Sequence, residues 1–210
     1  MVIGISGKIK SGKSRVAKTL FKILKKEGRQ VKIKSFAQPL YEVVSKLYDT
    51  DIKTIKKDKQ KNLPIYIHTR TTNSGMVTTN YRTILQIIGN TARDCGDQNI
   101  WVDALFGNDY EKIMIDMANN NVECWVIDDL RFPNDAQRIL DCSGKLVRIN
   151  RSDAEENEHI VENSLNDWTE WDLIIENDYD KKKKRNKKLK GLIEEFLSDK
   201  MPTQRGATNE

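Results

Sequence analysis

The sequence predicts an α/β fold of three layers: a five-stranded parallel sheet with helices on both faces and a lid segment. Three observations predict it. Short apolar runs alternate with stretches of helical spacing along most of the chain. The first such run, Val2-Ile3-Gly4-Ile5, passes into a glycine-bearing loop and then into a helical pattern near Arg15. That loop, Gly7-Lys8-Ile9-Lys10-Ser11-Gly12-Lys13-Ser14, is a complete G-x-x-x-x-G-K-S string in the strand–loop–helix setting it requires.

Val2–Ser6 is the first expected strand and residues 14–27 the first helix, which Gly28 stops ahead of a strand at Val31–Phe36. Helical spacing then covers 39–48, 81–95 and 101–119. Strand Val122–Asp128 precedes a helix over 134–142, strand Lys145–Ile149 follows, and strand Asp172–Ile175 leads to a last helix over 184–198. Two segments interrupt this rhythm. Residues 50–80 are polar and threonine-rich, with Asn73-Ser74-Gly75 as the turn of a short hairpin. Residues 151–165, Arg151 to Leu165, are charged and follow the fourth strand, where a lid is expected. We expect one domain over 1–200, with 50–80 as an insertion, and a disordered tail over 201–210.

Composition narrows the function classes. The 210 residues suffice for one α/β domain, and no apolar run approaches a membrane span. The first residues read as a strand rather than as a charged segment leading into an apolar one. Cys95, Cys124 and Cys142 lack paired metal-ligand spacing and read as thiols of a reducing cytoplasm. His68 and His159 are too few for an ordinary histidine zinc site. The net charge of +5 is concentrated in Lys181-Lys182-Lys183-Lys184-Arg185 and Lys187-Lys188. No aromatics interleave these cations, and Leu189, Leu192, Ile193, Phe196 and Leu197 follow at helical spacing. The run therefore reads as the solvated start of a helix rather than as a nucleic-acid contact.

The loop carries the chemistry. Its glycines let successive N–H groups turn inward, and the following helix adds the positive end of its dipole. Gly7, Lys8, Ser11, Gly12, Lys13 and Ser14 would cradle ATP, with Lys13 on the β/γ-phosphates and the Ser14 hydroxyl on Mg²⁺. Cys124-Trp125-Val126-Ile127-Asp128-Asp129 reads as a buried strand ending in carboxylates, and Asp129 is assigned with Ser14 to the metal. Arg131 follows at the carboxyl edge of the sheet, where open α/β folds bind ligands. Arg148 and Arg151 flank the start of the lid. Arg151 is the candidate for neutralising the transferring phosphoryl group, and Arg148 reads as the partner of Asp153, Glu155 or Glu156.

Arg82, Gln86, Gly89 and Arg93 fall at offsets 0, 4, 7 and 11 on a narrow stripe of one helix, opposite Ile84, Leu85, Ile88 and Ala92. Guanidinium pairs grip phosphate, and a close approach would justify a mid-helix glycine that costs about 1 kcal/mol. The stretch Ser35-Phe36-Ala37-Gln38-Pro39-Leu40 holds no acid before Glu42. A nucleoside hydroxyl would want a base there, so an acceptor that is already a phosphate fits better.

These strings resemble the viral deoxynucleoside monophosphate kinases, within the P-loop monophosphate kinase group. The likeness covers roughly residues 1–178 and thins over 50–80. It rests on Gly7–Ser14, Ser35-Phe36-Ala37 with Pro39-Leu40, the Arg82–Arg93 helix with Gly96 and Trp101, and Asp129-Leu130-Arg131-Phe132-Pro133-Asn134-Asp135-Ala136. Val147-Arg148-Ile149, Arg151, His159 and Glu162 complete it. Ser14 stands where the family often has Asp, and Val161-Glu162 where it has Ser-Glu. The resemblance implies a P-loop kinase fold and Mg²⁺- and ATP-dependent phosphorylation of a deoxynucleoside 5′-monophosphate, in the cytoplasm of an infected cell. It also implies Arg82, Arg93 and Arg131 on the acceptor phosphate, Gln86 or Trp101 near the base, and a homodimer. A tryptophan at a helix start also reads as core. Two other readings stand beside it: another small-molecule kinase of phosphomevalonate or dephospho-coenzyme A type, and a nucleic-acid-stimulated ATPase using the 181–190 run.

Overall fold

A computed structural model of the chain describes residues 1–68, 76–107, 110–152, 164–178 and 182–198. In chain order the elements are β1 (Val2–Gly7), α1 (Lys13–Lys26), β2 (Val31–Lys34), α2 (Gln38–Leu47), α3 (Ile52–Lys61), β3 (Pro64–His68), β4 (Met76–Asn80), α4 (Tyr81–Cys95) and α5 (Ile100–Phe106). They continue with α6 (Glu111–Asn119), β5 (Cys124–Ile127), α7 (Pro133–Asp141), β6 (Lys145–Asn150), β7 (Leu173–Glu176) and α8 (Lys182–Leu197). Two compact units result, one from Met1–Phe36 with Phe106–Glu210, the other from Ala37–Leu105.

The first unit holds the expected five-stranded sheet, in the order β2-β5-β1-β6-β7 with every neighbouring pair parallel. The central strands β1 and β5 are buried almost throughout and read as continuous apolar runs, whereas β2 buries only Val31 and β7 alternates buried with exposed residues, as strands toward the sheet's edges do. Ile3 and Ile5 of β1 point to one face, where they join Val16, Leu20 and Leu24 of α1 and Leu189, Ile193 and Phe196 of α8 in one buried cluster. Each such side chain contributes about 1.5–3 kcal/mol on burial. The other face of β1 receives α7 so closely that a Cβ on Gly4 would stand 2.4 Å from Ile139 Cδ1. Helices thus flank the sheet on both sides. Residues 101–119, expected as one helix, form α5 and α6, with Gly107 at φ +83 breaking the run.

In the second unit α2, α3 and α4 close around Tyr41, Val44, Ile55, Tyr81, Ile84 and Leu85. The expected hairpin is β3 against β4, antiparallel from Pro64↔Asn80 to His68↔Met76. Its turn, Asn73-Ser74-Gly75, lies outside the described residues. Helix α3 was not expected. Its one buried residue is Ile55, too little apolar periodicity to read, and Asp51 caps it by accepting from Thr54 N at 2.9 Å. Most of the expected lid (153–163, with His159 and Glu162) and the tail 201–210 also lie outside the described residues. Among those described, no helix is long and apolar enough to cross a membrane.

Candidate functional site

The loop leaves the carboxyl end of β1, the central strand, between the ends of β5 and β6. Gly12 sits at φ +110, and a Cβ there would come 2.6 Å from Asn177 Nδ2. Only glycine fits both conditions. Asn177 follows β7 and is buried; its amide donates to the Ser11 carbonyl at 2.6 Å, while its own N–H donates to the Asn150 carbonyl at 2.9 Å. A side chain 166 residues away therefore pins the crest of the loop. Ser11 is buried as well, and its N–H closes the loop onto the Lys8 carbonyl at 3.2 Å.

Helix α1 starts immediately afterwards. It has no side-chain N-cap and no acid of its own in its first turn. The Lys13 ammonium folds over the loop, donating to the carbonyls of Gly7 and of Lys8, the latter at 2.8 Å. A helix N-terminus and a lysine thus meet at the loop, the combination that anion sites use.

The two carboxylates beyond β5 have separate partners. Asp128 is hydrogen-bonded to Ser14, and burial together with the Asp129 charge pushes its pKa above the ordinary carboxylate value, against the opposing pull of Ser14 and Lys13. Asp129 instead turns to the end of β2, accepting from Ser35 Oγ at 2.6 Å and from Phe36 N at 2.9 Å. The carboxylate brought to Ser14 is therefore Asp128, whereas the sequence reading assigned Asp129. A hydroxyl beside a carboxylate whose charge is undercompensated suits a hard, oxygen-seeking cation such as Mg²⁺.

The string from Asp129 to Ala136 is largely architectural. Leu130 and Ala136 are core, Pro133 opens α7, and buried Asp135 accepts from Phe132 N at 3.2 Å at the start of that helix. Arg131 stands exposed on this turn. Arg151 Nη1 donates to the Lys10 carbonyl at 3.3 Å, which brings it onto the loop. Arg148 reaches Ser6 Oγ at 3.2 Å and Asn166 Oδ1 at 3.3 Å and lies over the Trp171 ring. Its expected partners Asp153, Glu155 and Glu156 lie outside the described residues. A cavity of about 280 Å³ opens here, with Lys8, Arg148 and Arg151 across from Glu176 and Asp178.

In the second unit, Arg82 and Gln86 are exposed on α4 and Arg93 is half-buried. Gly89 faces inward: it is buried, a Cβ would stand 3.1 Å from Leu40 Cδ2, and its carbonyl accepts the Trp101 indole N–H at 3.0 Å. The glycine thus answers to packing against α2 rather than to a ligand. Trp101 is 7 % exposed and belongs to the packing of this unit. The stripe runs along the border between the buried and exposed faces of α4.

Sequence reasoning missed Asp128 and Asn177 as site residues. The carboxylate pair was visible, but adjacent residues at a strand end point in different directions, and the choice depends on the close of β2. Asn177 belongs to no local pattern. No protein-family model matches this chain and no curated protein matches it.

Proposed function

We propose that the chain is a P-loop kinase that transfers the γ-phosphoryl group of ATP to a deoxynucleoside 5′-monophosphate. The observation that carries this reading is the loop itself, with Lys13, the N-terminus of α1 and the Ser14–Asp128 pair gathered at one end of the sheet. Loop N–H groups and Lys13 hold the β- and γ-phosphates of ATP. Mg²⁺, when bound at Ser14 and Asp128, supplies neutralisation of charge on those phosphate oxygens. Arg151, which reaches the loop at the Lys10 carbonyl, offsets charge on the transferring group. Arg82, Arg93 and Arg131 bind the acceptor phosphate, whose oxygen attacks the γ-phosphorus as the bond to the β-bridging oxygen breaks and ADP leaves. The acceptor is anionic, so no general base is required, and the residues act by positioning and charge.

The test is ADP release with MgATP and a panel of deoxy- and ribonucleoside monophosphates, with and without single-stranded DNA. We expect turnover that depends on one or more deoxynucleotides, lost by at least about 100-fold in Lys13→Ala. Hydrolysis that ignores every acceptor and rises with DNA would overturn the kinase reading.

A further inference from the structure

Helix α1 presents a second charged feature that phosphoryl transfer does not use. Its buried residues, Val16, Ala17, Leu20, Ile23 and Leu24, face the sheet. Its outer face carries Arg15, Lys18, Lys22 and Lys26, all exposed and none in an ion pair among the described residues. Helix α8 lies alongside, and together they form a groove of about 840 Å³ that begins at Ser14 and ends beside Glu27. Both carboxylates of the groove have other partners: Glu27 pairs with Arg29 at 3.6 Å and Glu194 with Lys190 at 3.3 Å. What remains is a row of four uncompensated cations along about 18 Å of helix.

We propose that this α1–α8 groove binds the phosphate backbone of single-stranded nucleic acid. Three properties select that partner. The cations are spread along the groove rather than converging on one point, which suits a chain of phosphates better than a single one. The groove is concave and offers Ile23 as its apolar floor, whereas a membrane-binding face exposes apolar side chains among its cations. Lining from both α1 and α8 makes the charged surface a channel, which a single flexible strand follows more readily than a rigid duplex does. No aromatic residue lines it, so base stacking contributes nothing and recognition rests on phosphate contacts alone. Binding is therefore independent of sequence and steeply dependent on salt.

The experiment is fluorescence anisotropy with a 5′-labelled 20-mer of deoxythymidine across a salt series, using the full chain. The test variant is Lys18→Gln/Lys22→Gln/Lys26→Gln. Its control is Lys53→Gln/Lys57→Gln/Lys61→Gln, which removes the same charge at the same spacing from the exposed face of α3. Circular dichroism melting establishes that both are folded. Because each single-strand phosphate contact contributes about 0.7 to the slope of log affinity against log salt, the α1 variant should lose about 2 from that slope. It should also bind about tenfold or more weakly at low salt, while the α3 variant stays near wild type. Equal losses in the two variants would reduce the effect to net charge and overturn the proposal. So would absence of wild-type binding at low salt, or tighter binding of a duplex of equal length.

Discussion

Two aspartates of the first unit, Asp116 and Asp128, flank the same pair of strands in opposite electrostatic circumstances. Asp116, on α6, is 8 % exposed and saturated with donors: Lys32 Nζ at 2.5 Å, Lys34 Nζ at 3.2 Å, Trp125 Nε1 at 2.9 Å and Asn120 Nδ2 at 2.7 Å. Burial alone would raise its pKa, but the two lysines and the indole outweigh that and hold it at about 2. Asp128, beyond β5, is raised in pKa by burial and by the neighbouring Asp129 carboxylate, which the Ser14 hydroxyl and the Lys13 charge do not outweigh. A buried charge that is fully paired serves the fold, whereas a half-buried one that its neighbours do not neutralise is poised for a cation that arrives with a ligand.

The largest effect expected from this contrast is at Asp128. Asp128→Asn should lower turnover by about 100-fold or more under the kinase reading. It should also raise the melting temperature, because it removes an ionised group that the fold disfavours next to Asp129. Steady-state kinetics and calorimetry on one preparation check both halves. Near-normal turnover, or a fall in both quantities together, would end the contrast.

Ser14→Ala comes next. It removes the one hydroxyl that stabilises the Asp128 carboxylate, so the raised pKa should move higher still. The acid limb of the rate profile should shift to higher pH, and the Mg²⁺ concentration for half-maximal rate should rise about tenfold. Ser14→Thr, which keeps the hydroxyl, should leave the limb in place. A limb that does not move in Ser14→Ala would detach Asp128 from the metal.

Asn177 sharpens the comparison from the neutral side, since it shapes the loop without charge. Asn177→Ala removes its bond to the Ser11 carbonyl and leaves a gap above Gly12. A loosened loop should raise KM for ATP about tenfold, equivalent to the loss of one well-made buried hydrogen bond, with a smaller change in KM for the acceptor. Equal changes in the two constants would make Asn177 a stability residue only.

The sheet strands and the loop were legible because each rests on local pattern: β1 and β5 are continuous buried apolar runs, β2 and β7 alternate along the strand, and the loop is defined by residue types at fixed spacing. Helix α3 was hidden because Ile55 is its one buried side chain, so its face leaves no period to detect. Gly89 misled in an instructive way. Its place on a stripe with Arg82, Gln86 and Arg93 suggested space for a ligand, but a helical wheel does not show which neighbour fills the gap, and here Leu40 does. The roles of Asp128, Asp129 and Asn177 depend on contacts distant in sequence, such as Ser35 to Asp129 across 94 residues and Asn177 to Ser11 across 166. No local reading contains those distances.

The smallest effect on catalysis, and the cleanest separation of the two aspartates, should come from Asp116→Asn. Turnover should stay within about twofold of wild type, because nothing at Asp116 touches the loop. Stability should fall by about 1–2 kcal/mol, a figure reduced for the solvent screening of Lys32 and Lys34, which are partly exposed. The sign of the pH dependence follows from the lowered pKa. The carboxylate stabilises the fold above its ordinary value of 3.8, and that contribution drains away as pH falls from there through about 2. Wild type should therefore lose its advantage over the variant across that window, seen as converging urea midpoints. Asp128 works in the opposite sense over its own, higher range, because protonation there relieves the cost of burying its charge and the repulsion from Asp129. A variant that kept a constant deficit down to pH 2 would mean that Asp116 acts through its shape and hydrogen bonds rather than its charge, and the electrostatic contrast with Asp128 would fail.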